Sequence, residues 1–136
     1  MHARQFRFLT VLAFVAITAM AATSFAQFGH PLKGTWIGDW GPNKDTQTRV
    51  VLELHWDGKA ITGTINPGAN GVPLKVATFD APAWTVHFEA EGKDRAGAAV
   101  RYVIDGKLEN VGAFARFITG TWTQGATKGT FKITRT

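Results

Sequence analysis

Apolar and polar residues alternate along most of the chain after residue 33. In residues 50–56, one face of an extended strand carries only apolar side chains, and the other face carries Val51, Glu53 and His55. The apolar face consists of Val50, Leu52, Leu54 and Trp56. The pattern returns in residues 84–90, 100–104 and 114–123, and no stretch of residues 33–136 has helical periodicity. It predicts an all-β domain in which each strand has one buried face.

Turn-forming residues divide this domain into eight predicted strands. Asp57-Gly58 and Asp105-Gly106 can supply the positive φ angles of tight hairpin turns, and clusters of Pro, Gly and Asn make other breaks. Because the connections are short, neighbouring strands are expected to pair antiparallel. The predicted strands span about residues 33–40, 49–57, 60–66, 73–79, 83–91, 98–105, 113–123 and 129–135.

Such a series of strands favours an up-and-down antiparallel β-barrel of about eight strands. Closure removes the exposed sheet edges that an exported domain must otherwise protect. An open two-sheet sandwich is the alternative. Residues 61–64 and 118–121 share the sequence Ile-Thr-Gly-Thr, and a glycine inside such a strand predicts a bend or a bulge in the barrel wall.

The first 26 residues differ in composition from the rest. Arg4 and Arg7 precede an apolar run over residues 8–22, and residues 24–26 supply the small residues of a cleavage site. The run is shorter than the roughly 20 residues that cross a bilayer as a helix. We predict a cleaved signal peptide over residues 1–26, a flexible tail over 27–32 and a single barrel domain over 33–136. The expected location is periplasmic or extracellular, without a stable membrane anchor.

Composition excludes several classes of function. The chain has no cysteine, which excludes disulfides, thiolate metal sites and a lipid-attachment cysteine. Loss of Arg4 and Arg7 with the signal peptide removes two positive charges from a formal net charge of +5. The remaining basic residues are scattered along the chain instead of forming a stripe. We therefore expect no binding of nucleic acid.

Candidate catalytic residues are few. The only serine, Ser24, leaves with the predicted signal peptide, so neither a serine nor a cysteine nucleophile remains. His55 with Glu53, and His87 with Glu89, lie two residues apart on their strands, a spacing that could form a surface metal site. Ordinary polar residues on a solvated strand face account for both pairs. We predict a protein that is not an enzyme and has no metal or cofactor.

A short motif at each end of the domain suggests how the barrel closes. Gly34-Thr35-Trp36 opens the first predicted strand, and Arg135 ends the last. In a closed meander these ends are adjacent, so Arg135 is expected to lie across the Trp36 ring. This arrangement resembles the calycin superfamily, the lipocalin and avidin-like barrels, in which a Gly-x-Trp on the first strand meets a basic residue from the last. The resemblance covers roughly residues 32–136 and implies that Gly34, Trp36 and Arg135 are barrel-closing residues.

Two functions remain open. The segments 34–41 and 120–125 also look like small uncharacterised barrels of secreted bacterial proteins. The first function is a lipocalin-like carrier that binds a small apolar ligand among inward-facing rings. The second is a filled-core interaction module that contacts another protein or an envelope glycan. An internal void would favour the carrier, and a packed interior with exposed tryptophan would favour the module. The oligomeric state stays open. The rings assigned to the carrier's ligand are Trp56, Phe79, Trp84, Phe88 and Tyr102.

Overall fold

The computed structural model describes residues 30–136. The predicted signal peptide and the first three residues of the predicted tail lie outside these residues. No helix in the described part of the chain is long and apolar enough to cross a membrane. The strands are β1 (Gly34–Asn43), β2 (Thr46–Trp56), β3 (Ile61–Ile65), β4 (Val72–Asp80), β5 (Thr85–Lys93), β6 (Ala99–Glu109), β7 (Phe117–Gln124) and β8 (Thr127–Arg135).

The eight strands form a closed barrel in sequential order. Each strand pairs antiparallel with the next, and β1 pairs antiparallel with β8, where Trp36 lies opposite Arg135 and Gly38 lies opposite Ile133. The predicted all-β, up-and-down antiparallel barrel is therefore confirmed, and the open sandwich is wrong. This architecture is compatible with a calycin-like fold.

Large apolar side chains fill the inside of the barrel. The alternation in β2 holds, since Val50, Leu52 and Leu54 are all buried. Trp122 packs between two other rings: it stacks on Trp40 with centroids 5.8 Å apart and meets Phe131 edge-on at 5.7 Å. Other side chains with no accessible surface come from several strands and include Trp36, Leu52, Phe88, Ile104, Ile118 and Ile133.

The compact unit that contains the barrel begins at Leu32. Leu32 is completely buried, and its carbonyl oxygen accepts a hydrogen bond from Trp36 Nε1 at 2.9 Å. Residue 32 therefore belongs to the barrel core and not to a flexible tail.

The first predicted hairpin turn is present and the second is not. Asp57 begins the connection between β2 and β3. Its Oδ1 accepts hydrogen bonds from the Lys59 and Ala60 amides, both at 2.8 Å, and Gly58 has φ +96°. The prediction of a turn at Asp105-Gly106 is wrong, because β6 continues through these residues to Glu109.

Gly106 instead lies directly opposite Gly120 on β7. A Cβ atom on Gly120 would lie 2.0 Å from the Asp105 carbonyl oxygen, so only glycine allows this approach of the two backbones. The register is continuous at Gly63 and Gly120, and neither is a bulge. Register shifts occur between Trp40 and Asn43 and between Leu74 and Val76.

Two aromatic residues predicted on inward strand faces lie in connections. Trp84 ends the turn between β4 and β5, with φ 55°, and is 39% exposed. Phe114 lies in the loop between β6 and β7 and is 72% exposed. The inward assignment is wrong for both residues, because β5 begins only at Thr85 and β7 only at Phe117.

Candidate functional site

One end of the barrel holds the first residue of β1 and the last residue of β8. We name it the closing end. Because the strands run alternately up and down, the β4–β5 turn and the β6–β7 loop emerge at this same end. Trp84 and Phe114 therefore project from the end at which the predicted closing residues lie. The closing end combines the most exposed aromatic side chains of the described barrel with charged residues.

The structure brings the three predicted closing residues together. Trp36 is completely buried and lies opposite Arg135 in the β1–β8 pairing. Gly34 has φ +137°, and a Cβ atom there would lie 2.9 Å from Arg135 Nε. Glycine at position 34 is thus required both by the backbone conformation and by the passage of the arginine side chain.

The ring beneath the Arg135 guanidinium differs from the predicted one. The guanidinium carbon lies 5.5 Å from the centroid of the Phe114 ring, within the range of a cation–π contact. Trp36 instead uses its indole nitrogen to hold the Leu32 carbonyl. The sequence pattern could not indicate this partner, because it placed Phe114 inside a strand.

A second arginine adjoins this position. The Arg135 amide donates a hydrogen bond to the Arg116 carbonyl at 2.9 Å, which makes the two residues cross-strand neighbours beyond the Phe117–Thr134 pair. Ile118 and Ile133 are paired and buried in the core, so alternation sends Arg116 and Arg135 towards the same inner side. Burial, followed by the charge of Arg135, lowers the pKa of Arg116. Arg116 could not be predicted from the sequence, because nothing local distinguishes it from the other scattered basic residues.

The five rings predicted to bind a ligand have different environments. Phe88 has no accessible surface and Tyr102 is 9% exposed, so both belong to the packed core. Phe79 and Trp84 are in contact, with ring centroids 5.9 Å apart, at the edge of the closing end. Trp56 is partly buried at the end of β2. A binding role for these residues stays a prediction.

The burial of Phe88 bears on whether the barrel interior is open or filled. A side chain that lines a void large enough for a ligand keeps accessible surface towards that void. Phe88, Ile104 and Trp122 keep none. The middle of the barrel is therefore occupied by protein side chains.

The outer face of β5 and β6 carries a network of charged groups. His87 Nδ1 lies 2.5 Å from Asp105 Oδ1, and its Nε2 lies 2.9 Å from Glu89 Oε2. Glu89 also accepts a hydrogen bond from Arg101 at 2.5 Å. The hydrogen bonds to Asp105 and then to Glu89 raise the pKa of His87. Among residues 30–136, no group of three or more His, Asp or Glu side chains is arranged to hold a metal ion.

An open groove of about 420 Å³ lies along β1 and β8. Asp39 and Lys132, which lie opposite each other, are among its lining residues. The Lys132 ammonium does not pair with that carboxylate but lies 4.5 Å from the centroid of the Phe117 ring. The groove is shallow and its lining is mainly polar, so it lacks the apolar enclosure typical of a small-ligand pocket.

Comparison with known proteins gives no match. No family model matches the chain, and no curated protein or solved structure is significantly similar to it. The candidate site is therefore defined by the residues of the closing end alone.

Proposed function

We propose that this protein is an exported, non-enzymatic β-barrel with a filled core that binds another protein through its closing end. The observation that carries the proposal is a contrast in burial. Phe88 and Trp122 have no accessible surface inside the barrel, whereas Phe114 is 72% exposed and Trp84 is 39% exposed at one end. Both rings emerge at the closing end, and large exposed apolar side chains at one end of a domain favour a site that contacts a partner.

The chemistry of this surface favours a protein partner. Tryptophan, tyrosine and arginine dominate the binding energy of protein interfaces, and phenylalanine is enriched there. At the closing end an arginine, Arg135, supports the exposed Phe114 ring, and Arg116 adds a second positive charge nearby. A partner with an apolar patch beside an acidic group would complement this surface.

Cross-linking at position 114 tests the proposal. Phe114 would be replaced by a photoreactive phenylalanine analogue in the source cells, and the cross-linked product identified by mass spectrometry. The affinity of the purified partner would then be compared for wild type and Phe114→Ala. We expect about tenfold weaker binding or more for Phe114→Ala, since interface anchors cost more than about 1.4 kcal/mol when truncated.

Val76→Ala is the matched control, because Val76 is also exposed but lies on the outer wall in β4. It should bind as wild type does. Equal affinity for Phe114→Ala and wild type would refute the site. A cross-link to a glycan with none to protein would refute the class of partner.

The lipocalin-like carrier makes an opposite prediction for the interior. Its ligand would have to displace core side chains such as Phe88. Native mass spectrometry of the protein purified from its own source, followed by denaturing extraction, separates the two functions. The filled-core module predicts an empty barrel, and a reproducible lipophilic passenger would establish the carrier instead.

Export is proposed from the amino-terminal sequence alone, through the charged, apolar and small-residue segments of residues 1–26. Mass spectrometry of the exported protein should find Gln27 at the amino terminus. An intact Met1 on a membrane-bound product would contradict cleavage and the proposed location without a membrane anchor.

A further inference from the structure

We infer that Arg135 and Arg116 form an oxyanion-binding site at the closing end, which takes a carboxylate or phosphate group. The occupant rests on the proposed function, because the anion would be an acidic or phosphorylated group of the partner. The site itself is argued from the geometry of the two arginines and can be tested without the partner.

The hydrogen-bonding groups of Arg135 carry the argument. Its Nε atom is buried and has no hydrogen-bond partner, and none of the ion pairs within residues 30–136 includes its guanidinium. A guanidinium is always charged and has five N–H donors. Buried polar groups in folded proteins are nearly always hydrogen-bonded, and an unsatisfied one calls for an explanation such as a bound ion.

The contact with Phe114 leaves these donors available. The guanidinium carbon lies 5.5 Å from the Phe114 centroid. An arginine that stacks on an aromatic ring uses its flat face, whereas its N–H groups point outwards in the plane. The planar edge of an arginine matches the two oxygens of a carboxylate or phosphate. The ring therefore orients Arg135 without competing for an anion.

The positive charge of Arg116 favours the binding of an anion beside Arg135. Arg116 and Arg135 are cross-strand neighbours joined by a backbone hydrogen bond, and like charges on directly opposite residues are unfavourable. The lowered pKa of Arg116, which burial and the charge of Arg135 cause, is consistent with this repulsion. An oxyanion bound by Arg135 would lie close to this second positive charge, which favours the anion there.

The surroundings hold Arg135 in position. Gly34 provides the space through which the side chain passes, and the cross-strand partner Trp36 is held by its bond to the Leu32 carbonyl. The charged network on the outer wall is different, because Arg101 there already donates to Glu89. Arg135 is thus a cation held in position, and its Nε–H donor has no partner. An anion site requires such a positioned donor.

Thermal unfolding of the purified exported protein tests the inference, with sodium phosphate and sodium acetate as probes and sodium chloride at equal ionic strength as the reference. A ligand that binds only the folded state raises Tm with its concentration. We expect a saturating rise in wild type with at least one probe, and about tenfold weaker apparent binding or more in Arg135→Gln.

Lys128→Gln is the control variant. Lys128 lies on the same strand, β8, but is exposed near the opposite end of the barrel. Exclusion of phosphate from the protein surface raises Tm without a binding site, and this effect should be equal in all three proteins. A rise in Arg135→Gln as large as in wild type, or no rise above chloride with either probe, would overturn the inference.

A spectroscopic measurement covers the case in which Arg135→Gln does not fold. In ¹⁵N-labelled wild type, the Nε–H resonances of two arginines should shift together as either probe is added, with Arg116→Lys removing one of them. Unshifted arginine resonances would overturn the inference. A larger effect of phosphate indicates a phosphorylated partner group, and a larger effect of acetate indicates an acidic side chain.

Failure of this inference and failure of the proposed function have different signatures. A partner cross-linked at position 114 without any anion effect contradicts the oxyanion site alone. A saturable anion effect at Arg135 without a protein partner contradicts the proposed function alone.

Discussion

Replacement of Trp36 by alanine tests the role of the closing end in stability most directly. Trp36 has no accessible surface, and its indole N–H donates to the Leu32 carbonyl over 2.9 Å. The substitution removes a buried double ring at the point where β1 meets β8. It also removes the donor that joins residue 32 to the barrel.

The expected loss of unfolding free energy follows from the burial of the Trp36 side chain. Truncation of a fully buried large aromatic side chain to alanine destabilises a protein by about 3–5 kcal/mol, because the lost ring leaves a cavity that the core closes only in part. Trp36→Phe separates the two contributions, since it keeps most of the ring and loses the hydrogen bond. Its cost should include about 1 kcal/mol for that bond.

Trp84→Ala is the matched control because it removes the same atoms from an exposed position. Trp84 is 39% exposed and has one aromatic neighbour, Phe79, with ring centroids 5.9 Å apart. Loss of such an aromatic pair costs about 0.5–1.5 kcal/mol. The difference in unfolding free energy between the two alanine variants therefore measures how much the burial of Trp36 contributes to stability.

Urea unfolding followed by far-UV circular dichroism is the suitable assay, since the chain has five tryptophans and each substitution alters fluorescence. The denaturant dependence, m, should be similar in all variants if they unfold in one step. A cost for Trp36→Ala below about 1 kcal/mol, or a cost equal to that of Trp84→Ala, would refute the assignment of Trp36 as a closing residue.

Two further predictions concern the barrel wall. Gly120→Ala should destabilise the protein by about 1–3 kcal/mol as overpacking does, because its Cβ would lie 2.0 Å from the Asp105 carbonyl oxygen. Gly112→Ala, where a Cβ meets nothing within 4 Å, should leave the urea midpoint nearly unchanged, and equal midpoints for both variants would contradict the close approach. The raised pKa of His87, caused first by its hydrogen bond to Asp105, means that its charged form stabilises the fold. That contribution is complete below the ordinary histidine pKa of about 6.5 and is lost as the pH rises through the higher pKa of His87 in the folded protein. The stability difference between wild type and His87→Gln should thus shrink on going to alkaline pH, and a constant difference in pH-dependent urea titrations would contradict the role of the network.

The candidate site was only partly predictable from sequence. Gly34, Trp36 and Arg135 were identifiable because they lie at the start of the first strand and at the end of the last. In a barrel of sequential strands these two positions are adjacent. Phe114 and Arg116 were not, since they lie in the connection between β6 and β7. Alternation determines the face of a residue inside a strand but says nothing about where a strand begins.

The turns show the same limit. Asp57-Gly58 forms the predicted turn because the Asp57 carboxylate itself caps the following amides, an interaction confined to a few residues. Asp105-Gly106 has the same two residue types but remains in a strand, where Gly106 faces Gly120 from β7. Dipeptide preference is a local effect, and pairing with a distant strand overrides it.

Side-chain periodicity alone predicts an all-β domain over residues 33–136 with one buried face per strand, and short connections favour a closed barrel of sequential antiparallel strands. These properties depend on side-chain periodicity and on short connections, both of which are local. The folded barrel adds two facts that periodicity does not contain: rings such as Trp122 and Phe88 occupy the interior, and Arg116 lies beside Arg135. Such contacts depend on strand register and on the distance between backbones, which exist only once the barrel has closed.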